Sequence, residues 1–560
     1  MKRILMAAAI AAVLPFAAQA QTDQQLVKGA SDTKDVLNYG MGYNLERYSP
    51  LTQINKENAK KLVPVWNYSY DDNRSEESQP LVYQGVIYVT TNSATMAIDA
   101  KTGRQIWKTK VEYPPETPRI VCCGIINRGA ALYDGKVFRT TLDANVIALD
   151  AKTGKEVWKQ NAINFKDGYS MTVAPLIADG VVITGISGAE YGTRLFIDGW
   201  DAATGKHLWR TYTVPQKGEP GGDTWPGDTA QHGGGSTWIT GSFDPELHTV
   251  YWGIGNPGPF NAAVRKGDNL YTDCVLALDP KTGKIKWYYQ FSPNDPFDYD
   301  SVAEMVLADI KVKGKPTKVV MDANRNGFFY VLDRTNGKLL AANAYVNVNW
   351  AKGIDMKTGR PIETDVIAKA RAGEKVDLWP SILGGKNWEP IAFDPKRGLA
   401  FANTLNMGMP YKAIPADYKA GEMYLGMDLT QGWIWPKDKN GKDAPRGYLK
   451  AIDPLTGKAK WQAGSDMPRF SGVLATAGGV VFSGRLTGEF EAFDSDTGKR
   501  LWSFKTGSGI EGQPITWEQN GVQYVAVSSG IGGVYSLFSG DERLKDIPAG
   551  GSLWVFAVQK

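Results

Sequence analysis

Two aspartates stand one residue apart in "FSPNDPFDYDSVAEM", at Asp298 and Asp300. If residues 297–301 are extended, both side chains point to one face, because side chains alternate along a strand. Two carboxylates on one face repel each other unless a cation lies between them. An isolated Asp-x-Asp is more often a solvated acidic turn, so this pair alone leaves both interpretations open.

Two further segments place oxygen ligands in tight backbone. Glu190 lies among small residues in "ISGAEYGTRLF", and Asn256 lies between Gly and Pro in "YWGIGNPGPFN". Such oxygens suit Ca²⁺ or a similar hard cation, although each residue alone is equally typical of a turn cap. With only three histidines in the chain, a His-rich zinc or copper site is excluded.

The other unusual pair is Cys122–Cys123 in "VCCGIINRGA", since the chain has only one other cysteine, Cys274. The dipeptide alone is compatible with two buried thiols in a strand. The segment "GSGIEG" at residues 507–512 matches G-x-G-x-x-G, but a strand-like run follows it instead of a helix, so it does not predict a dinucleotide site. The sequence has no C-x-x-C-H motif for covalent haem and no G-x-S-x-G.

The first 20 residues predict a secretory signal peptide. Lys2 and Arg3 precede a short apolar run, and an A-x-A cleavage pattern ends at Ala20. The apolar run is too short to span a bilayer, and no later run reaches the roughly 20 apolar residues that a membrane span requires. We therefore expect an exported mature domain, residues 21–560. The net charge of +4 does not indicate a nucleic-acid partner.

A repeat organises the remaining chain: an apolar residue, Asp, two residues, Thr-Gly, and Trp four residues after the Gly. It occurs at Asp99, Asp150, Asp201, Asp279, Asp453 and Asp494. A copy at Asp333 lacks the Trp, and "AFDPKRGLAF" at Asp394 resembles a degenerate eighth copy. The pattern predicts a hairpin in which Asp bonds its own turn and Gly supplies a positive φ.

Each hairpin leaves an apolar face that a neighbour must cover, so the copies are expected to stack. All-strand repeats of roughly 40 to 60 residues favour an all-β, eight-bladed β-propeller in one domain. An array of small β-domains is the alternative, but no linker-like Pro/Ser run separates the copies. Trp66 in "KLVPVWNYSY" is predicted to complete the last blade with the C-terminal strands.

These repeats, together with "RYSPLTQIN", the "CC....NRG" stretch and "DYDSVAE", resemble the methanol and ethanol dehydrogenases that depend on pyrroloquinoline quinone (PQQ). The similarity covers nearly all of the mature chain. The combination of motifs is specific, whereas the Trp repeat alone is not. The resemblance implies an eight-bladed propeller with PQQ on its axis, between a tryptophan and a disulfide of adjacent cysteines.

The resemblance also assigns the cofactor contacts by motif. It makes Trp238 the floor beneath PQQ and the Cys122–Cys123 disulfide the ceiling. The other implied PQQ contacts are Glu77, Arg128, Thr172, Ser187, Gly188, Ala189, Arg325 and Asn387. Phe470 stands where methanol dehydrogenases carry a Trp at the PQQ edge. A bond between adjacent cysteines closes almost no loop, so we expect it to form a rigid plate instead of stabilising the fold.

By the same resemblance Glu190, Asn256 and Asp298 are metal ligands, and Asp298 is also the catalytic base. Lanthanide-type members carry Asp at the position of Asp300, whereas calcium-type members carry a small uncharged residue. Three carboxylates crowd negative charge that a trivalent ion offsets better than Ca²⁺, so we favour a lanthanide(III) ion as the second cofactor.

The implied activity is oxidation of a small primary alcohol, with hydride transfer to PQQ, the metal as Lewis acid and Arg325 stabilising the developing negative charge. A soluble c-type cytochrome in the periplasm is the implied electron acceptor, and a homodimer is left open. A scaffold propeller of the envelope would explain the repeats but not the acidic residues or the paired cysteines. A sugar or polyol dehydrogenase is a third interpretation, which the Cys-Cys and Asp-Tyr-Asp features disfavour.

Overall fold

The computed structural model describes residues 20–559 as a ring of eight four-stranded antiparallel sheets, an all-β propeller as predicted. The predicted signal peptide lies outside the described residues, apart from Ala20. The blades are numbered here from the first complete sheet along the chain.

The strands of blades 1 to 4 follow one another in chain order, with one long connection in blade 4 between Gly253 and Cys274. In blade 1 they are Leu81–Tyr83, Val86–Thr90, Ala94–Asp99 and Gln105–Lys110. In blade 2 they are Ala131–Tyr133, Lys136–Thr140, Asn145–Asp150 and Glu156–Asn161. In blade 3 they are Leu176–Ala178, Val181–Gly185, Phe196–Asp201 and His207–Tyr212. In blade 4 they are Ser242–Asp244, Thr249–Gly253, Cys274–Leu278 and Ile285–Gln290.

Blades 6 and 8 contain long insertions between their second and third strands, residues 406–446 and 530–551. In blade 5 the strands are Val306–Val312, Lys315–Ala323, Phe328–Asp333 and Leu339–Ala344. In blade 6 they are Ala392–Asp394, Leu399–Leu405, Gly447–Ile452 and Ala459–Ser465. In blade 7 they are Val473–Thr476, Val480–Gly484, Glu489–Asp494 and Arg500–Lys505, with Tyr48–Ser49 added at the inner edge. In blade 8 they are Ile515–Gln519, Val522–Ser529, Ser552–Val558 and Leu62–Ser69.

The remaining regular structure is short. Two hairpin-like sheets pair Ala351–Ile354 with Pro361–Glu363 and Val376–Leu378 with Met409–Tyr411. The α-helices are Asp23–Val27, Thr117–Ile120, Asp365–Arg371 and Gly533–Phe538. Within residues 20–559, no helix combines the length and the apolar character that crossing a membrane requires.

The ring is closed by strands from both ends of the chain. Leu62–Ser69 pairs antiparallel with Ser552–Val558, in register from Leu62 opposite Val558 to Ser69 opposite Ser552. Trp66, on this first strand, donates its indole N–H to the carbonyl of Ala100 in blade 1. The predicted role of Trp66 in completing the last blade is confirmed.

The Asp-Thr-Gly turns join the third and fourth strands of their blades. Asp99 accepts hydrogen bonds from the backbone N–H and the hydroxyl of Thr102, both at 2.8 Å, as the repeat predicts. The prediction for Asp394 is wrong, because this residue lies in the turn between the first and second strands of blade 6. Its Asp bonds the turn backbone in the same way, so the local motif is similar while its place in the blade differs.

In the copies that carry it, the tryptophan contacts the turn of the following repeat. The indole of Trp107 donates to the carbonyl of Ala151 at 3.0 Å and covers Gly154 in the following turn. A Cβ added to Gly154 would lie 2.5 Å from the Trp107 ring, so only glycine leaves room for the indole. The same contact recurs between Trp158 and Gly205 and between Trp461 and Gly498. The repeated Thr-Gly and Trp are therefore the two halves of one interblade contact.

Strand direction decides which loops meet at the axis. In a blade of four antiparallel strands, the connection between strands 2 and 3 and the connection to the next blade open at the same end of the ring. The Asp-Thr-Gly turns open at the opposite end. The segments that carry the candidate chemistry therefore gather at one end, away from the repeat turns.

We predict that Gly154→Ala destabilises the ring more than Gly398→Ala. Both glycines have a left-handed φ, 69° and 64°, so each alanine costs about 1–2 kcal/mol of backbone strain. Only the Gly154 Cβ also clashes with a buried indole, which adds about 1–3 kcal/mol, whereas nothing lies within 4 Å of a Cβ at Gly398. Thermal unfolding midpoints measure the difference, and equal midpoints for the two variants would contradict the interblade role of the glycine.

Candidate active site

One cavity at the loop end of the ring gathers nearly all the predicted site residues. Interblade connections supply Glu77, Cys122, Cys123, Arg128, Thr172, Trp238, Asp298, Asp300 and Asn387. Connections between the second and third strands supply Ser187, Gly188, Glu190 and Arg325. All of these line the cavity.

Two predicted residues do not line it. Ala189 is buried in the hydrophobic core, with its Cβ directed toward Gly234. Asn256 is fully buried immediately behind Asp300, to which its backbone N–H donates at 2.7 Å. Phe470, the predicted edge residue, is also absent from the lining and packs against Tyr535 with ring centroids 5.4 Å apart.

The residues predicted to lie on the two sides of the cofactor, the adjacent cysteines and Trp238, all line the cavity. Cys122 and Cys123 form a disulfide with Cα atoms 3.8 Å apart, and both line the cavity. Cys274, the third cysteine, is a free buried thiol. Trp238 lies under the guanidinium of Arg128, 4.6 Å from the ring centroid. Gly188 has φ 142°, and a Cβ there would lie 2.4 Å from the carbonyl of Gly168, so the backbone can approach the cavity closely only without a side chain.

Asp300 is the most highly connected acid of the site. Its Oδ1 accepts from the Asn256 backbone and from the Ser236 hydroxyl at 3.3 Å. Its Oδ2 accepts from the Trp238 indole at 3.2 Å and from Arg325 Nη1 at 2.8 Å. A carboxylate offers about four acceptor positions, so these four donors use its capacity. Asp300 thereby orients Trp238, Arg325 and the Asn256 backbone at the same time.

Asp298 reaches the same arginine from a different backbone conformation than predicted. Residues 297–301 do not form an extended strand, because Asp298 has a left-handed φ of 58°. Asp295 produces this turn by accepting the backbone N–H groups of Phe297 and Tyr299. Asp298 Oδ2 accepts from Arg325 Nη2 at 3.1 Å, while Oδ1 has no hydrogen-bond partner among the described residues. The premise that residues 297–301 are extended was wrong, but both aspartates accept hydrogen bonds from the guanidinium of Arg325.

Glu77, Arg128 and Thr172 form a second polar group on the cavity wall. Arg128 Nη2 lies 2.8 Å from Glu77 Oε2, and Nη1 donates to the Thr172 hydroxyl at 2.7 Å. The Arg128 guanidinium also stacks on Trp388, 5.1 Å from its ring centroid. Trp388 follows Asn387 in "KNWEP" and was missed from the sequence, as was Ser236, which precedes Thr237 and Trp238 in "GGGSTW".

Burial and like charge perturb the acids. Burial raises the pKa of Asp298 well above its usual range; Arg325 lowers it, and the carboxyls of Asp300 and Glu190 raise it. Burial, together with Asp300, raises the pKa of Glu190 to about 7. Each would ionise more readily beside a bound cation, since a positive charge reverses these effects.

Buried polar atoms without a hydrogen-bond partner indicate which ligands the site could hold, here a cation and an anionic quinone. Within the described chain, the oxygens without a hydrogen-bond partner include Asn256 Oδ1 and Asp298 Oδ1, both hard ligands. The unpaired N–H donors include Arg128 Nε and Arg325 Nε, which suit carboxylate or carbonyl oxygens. The Glu190 carboxylate lies within 4.8 Å of both disulfide sulfurs, which are bonded to each other and so are not thiolate ligands. The donor set fits both groups.

A second cavity of about 340 Å³ opens beside the first and shares Cys122, Cys123, Glu190, Asp298 and Val534 with it. Its outer wall comes from the long connection within blade 6 and from the helix Gly533–Phe538. The apolar lining consists mainly of Phe260, Leu383, Met409, Leu425, Met427 and Trp433. An apolar chamber therefore leads to the Asp298 carboxylate.

Comparison with known proteins assigns the chain to a family. The chain matches the protein family described as PQQ, glucose/ethanol/alcohol dehydrogenase, beta-propeller domain, over residues 37–352 and 443–525. A europium-containing methanol dehydrogenase of known structure superposes with a TM-score of 0.90 at 37% identity, covering 96% of this chain and 100% of that one.

Curated relatives agree over the same length. Quinoprotein ethanol dehydrogenase of Pseudomonas putida is 40% identical over 99% of this chain and 95% of its own length. Lanthanide-dependent methanol dehydrogenase of Methylacidiphilum fumariolicum is 38% identical over 96% of this chain and 95% of its own length. The chain therefore belongs to the family of PQQ-dependent quinoprotein alcohol dehydrogenases.

We predict that replacing both cysteines, Cys122→Ala with Cys123→Ala, lowers PQQ affinity at least about tenfold while changing the unfolding midpoint little. A bond between neighbours restricts the unfolded chain hardly at all, so its loss removes a binding surface and little stability. Quenching of tryptophan fluorescence by added PQQ, beside a thermal scan, measures both effects. Cys274→Ala leaves the pair intact and should bind PQQ as the wild type does; a double variant with unchanged affinity would refute this role.

Proposed function

We propose that this protein oxidises small primary alcohols to aldehydes, with PQQ as hydride acceptor and one metal ion, a lanthanide(III) in preference to Ca²⁺, as Lewis acid. The observation that supports it most is the unpaired Oδ1 of Asp298, which lies where the quinone cavity and the apolar chamber meet. When bound, PQQ supplies the electrophilic carbon and the metal supplies the polarising charge.

The residues of the chain bind and orient the reactants. Glu190, Asn256, Asp298 and Asp300 are the proposed metal ligands, and Asp298 is the proposed base that takes the hydroxyl proton. Arg325 donates to both aspartates and has an unpaired Nε for an oxygen that gains negative charge. The disulfide and Trp238 hold the plane of the quinone, and Glu77, Arg128, Thr172, Ser187, Gly188, Ala189 and Asn387 are its proposed polar and backbone contacts.

The chamber supports an alcohol over a sugar or polyol. Its volume is roughly ten times the share of liquid volume of one water molecule, so an alkyl chain fits behind the reacting hydroxyl. Methionine, leucine and aromatic side chains cannot replace the hydrogen bonds that a polyol loses on leaving water. A scaffold function would leave the paired cysteines and the convergent acids without a role.

The metal preference depends on Asp300. Three carboxylates, Glu190, Asp298 and Asp300, surround the site, and only Arg325 makes ion pairs with these acids among the described residues. A trivalent ion offsets more of this charge than Ca²⁺ does. Because the Asp300 oxygens already bond four donors, its ligation requires replacement of at least one of them.

Electron transfer and location follow from the family resemblance. We propose a soluble c-type cytochrome as acceptor, in the periplasm, after removal of residues 1–20 as a signal peptide and release of the domain 21–560. A homodimer is compatible with this function and is not required by it.

We predict that Asp298→Asn lowers kcat about 10²–10⁴-fold, because the amide cannot accept the hydroxyl proton. Steady-state oxidation of a primary alcohol by protein reconstituted with PQQ and metal measures it. Asp273→Asn is the control for a buried acid outside the site, since Asp273 is fully buried, has no hydrogen-bond partner on either carboxylate oxygen among the described residues, and lines neither cavity. Full turnover by Asp298→Asn would refute the assignment of Asp298 as the base.

We predict that Asp300→Ala reduces lanthanide-supported activity at least about tenfold more than calcium-supported activity, because a trivalent ion loses more stabilisation with the lost carboxylate. The experiment compares kcat/KM with La³⁺ and with Ca²⁺ supplied separately. Ser236→Ala removes one hydrogen bond from Asp300 without changing charge and should affect both metals alike. Equal losses in Asp300→Ala would refute the metal preference.

A further inference from the structure

Two buried carboxyl groups flank one hydroxyl at the edge of the cavity. Ser75 Oγ lies 3.3 Å from Glu77 Oε1 and within hydrogen-bond distance of Glu511 Oε2. Ser75 is 4% exposed, Glu77 0% and Glu511 1%. Glu511 comes from the connection between blades 7 and 8, within the "GSGIEG" segment, and the other two come from the connection into blade 1.

The hydroxyl cannot satisfy both acids as anions. A serine hydroxyl has one hydrogen, so it donates to one carboxylate at a time. The second contact becomes a hydrogen bond only when that carboxyl carries a proton and donates it to Ser75 Oγ. The geometry therefore requires one proton shared within the Glu77–Ser75–Glu511 group, because a buried unpaired contact between lone pairs is repulsive.

The surrounding charges decide which carboxyl holds the proton. Burial raises the pKa of the Glu77 carboxyl, and the ion pair with Arg128 opposes this rise. Burial raises the pKa of Glu511 well above its usual range, and Glu77 raises it further. Glu76 lies beside Glu77, with Asp72 and Lys108 around it, so its surroundings add no net positive charge. Glu77 is the anion of the pair and Glu511 is the acid.

We propose that Glu511, Ser75 and Glu77 hold a mobile proton and give the cavity a second proton-transfer site, separate from Asp298. The Glu511 proton passes to Ser75 Oγ as the Ser75 proton passes to Glu77 Oε1, so one proton moves and no electron does. Glu511 acts through Ser75 and is a positioning residue, whereas Glu77 lines the cavity.

The use of this site rests on the proposed function. The hydroxyl proton of the alcohol is assigned to Asp298 and its second hydrogen leaves as hydride, so a second proton would be released only when the reduced cofactor gives up its two electrons. Glu77 lines the same cavity and is connected to Asp300 through Arg128 and Trp238. The pair therefore supplies the cavity with an acceptor for the second proton.

Infrared spectroscopy of the full chain without added cofactor tests the shared proton directly. At neutral pH, Glu511→Gln should remove a carbonyl band of a protonated carboxyl, and Ser75→Ala should shift that same band. Glu76→Gln is the matched control, since a band that it removes should not move in Ser75→Ala. Loss of an ionised carboxylate band in Glu511→Gln, or no shift in Ser75→Ala, would overturn the proposal.

The pH dependence of PQQ binding tests its effect on the cavity. Ionisation of the pair adds negative charge beside a cofactor that carries carboxylates, so wild-type affinity should fall on the alkaline side, approaching tenfold per pH unit for one linked proton. Glu511→Gln should lack this fall, whereas Glu76→Gln should retain it. Fluorescence titration with PQQ in the presence of Ca²⁺ measures the affinities. Equal slopes of PQQ affinity against pH in wild type and Glu511→Gln would contradict the proposal. If no variant binds PQQ, the proposed function is refuted, and the infrared experiment alone then tests the shared proton.

Discussion

The contact between a tryptophan indole and a glycine of the following blade sets the spacing of this ring. In most copies the indole donates to a backbone carbonyl and covers a glycine where any side chain would collide with it, as Trp107 does over Gly154. Because the contact recurs at most of the blade junctions, most blades meet their neighbours in a similar way. The connections at the opposite end inherit that regular spacing, which brings segments from six interblade connections and several connections between second and third strands to one cavity.

In that cavity, positioning depends on charge instead of apolar packing. Asp300 binds the tryptophan, the arginine and the backbone of the asparagine loop, so three blades are tied through one carboxylate. Asp298 keeps an oxygen unpaired in a left-handed turn whose flanking backbone N–H groups bond Asp295. Burying these acids without a cation costs free energy. The same cluster of carboxylates that causes this cost also supplies the proposed metal ligands and base.

Much of this arrangement could be predicted from the sequence because the repeat has one physical meaning wherever it occurs. The turns, the glycine and the indole predicted eight blades, and Trp66 predicted the closing strand. The prediction for Asp394 was wrong because an Asx-type turn forms in any hairpin. The local motif therefore does not show which two strands of a blade the turn joins. Side-chain direction in irregular loops was less accessible: Ala189 turns into the core, and Phe470 packs on Tyr535. Glu511 was inaccessible for another reason, since 436 residues separate it from Ser75 and only the closed ring joins them.

Closure by Leu62–Ser69 on Ser552–Val558 also imposes an order on assembly. Blade 8 lacks two of its strands until the last segment of the chain has been made, however early the other blades have folded. Pairing across such a distance is slow, because loop-closure entropy opposes it until the strands meet. The connections carrying Ser75 and Glu511 lie on the two sides of this seam, so the carboxyl pair forms only when closure is complete. The pocket is therefore incomplete until the terminal strands pair, and a chain that stops folding before closure cannot retain its cofactor.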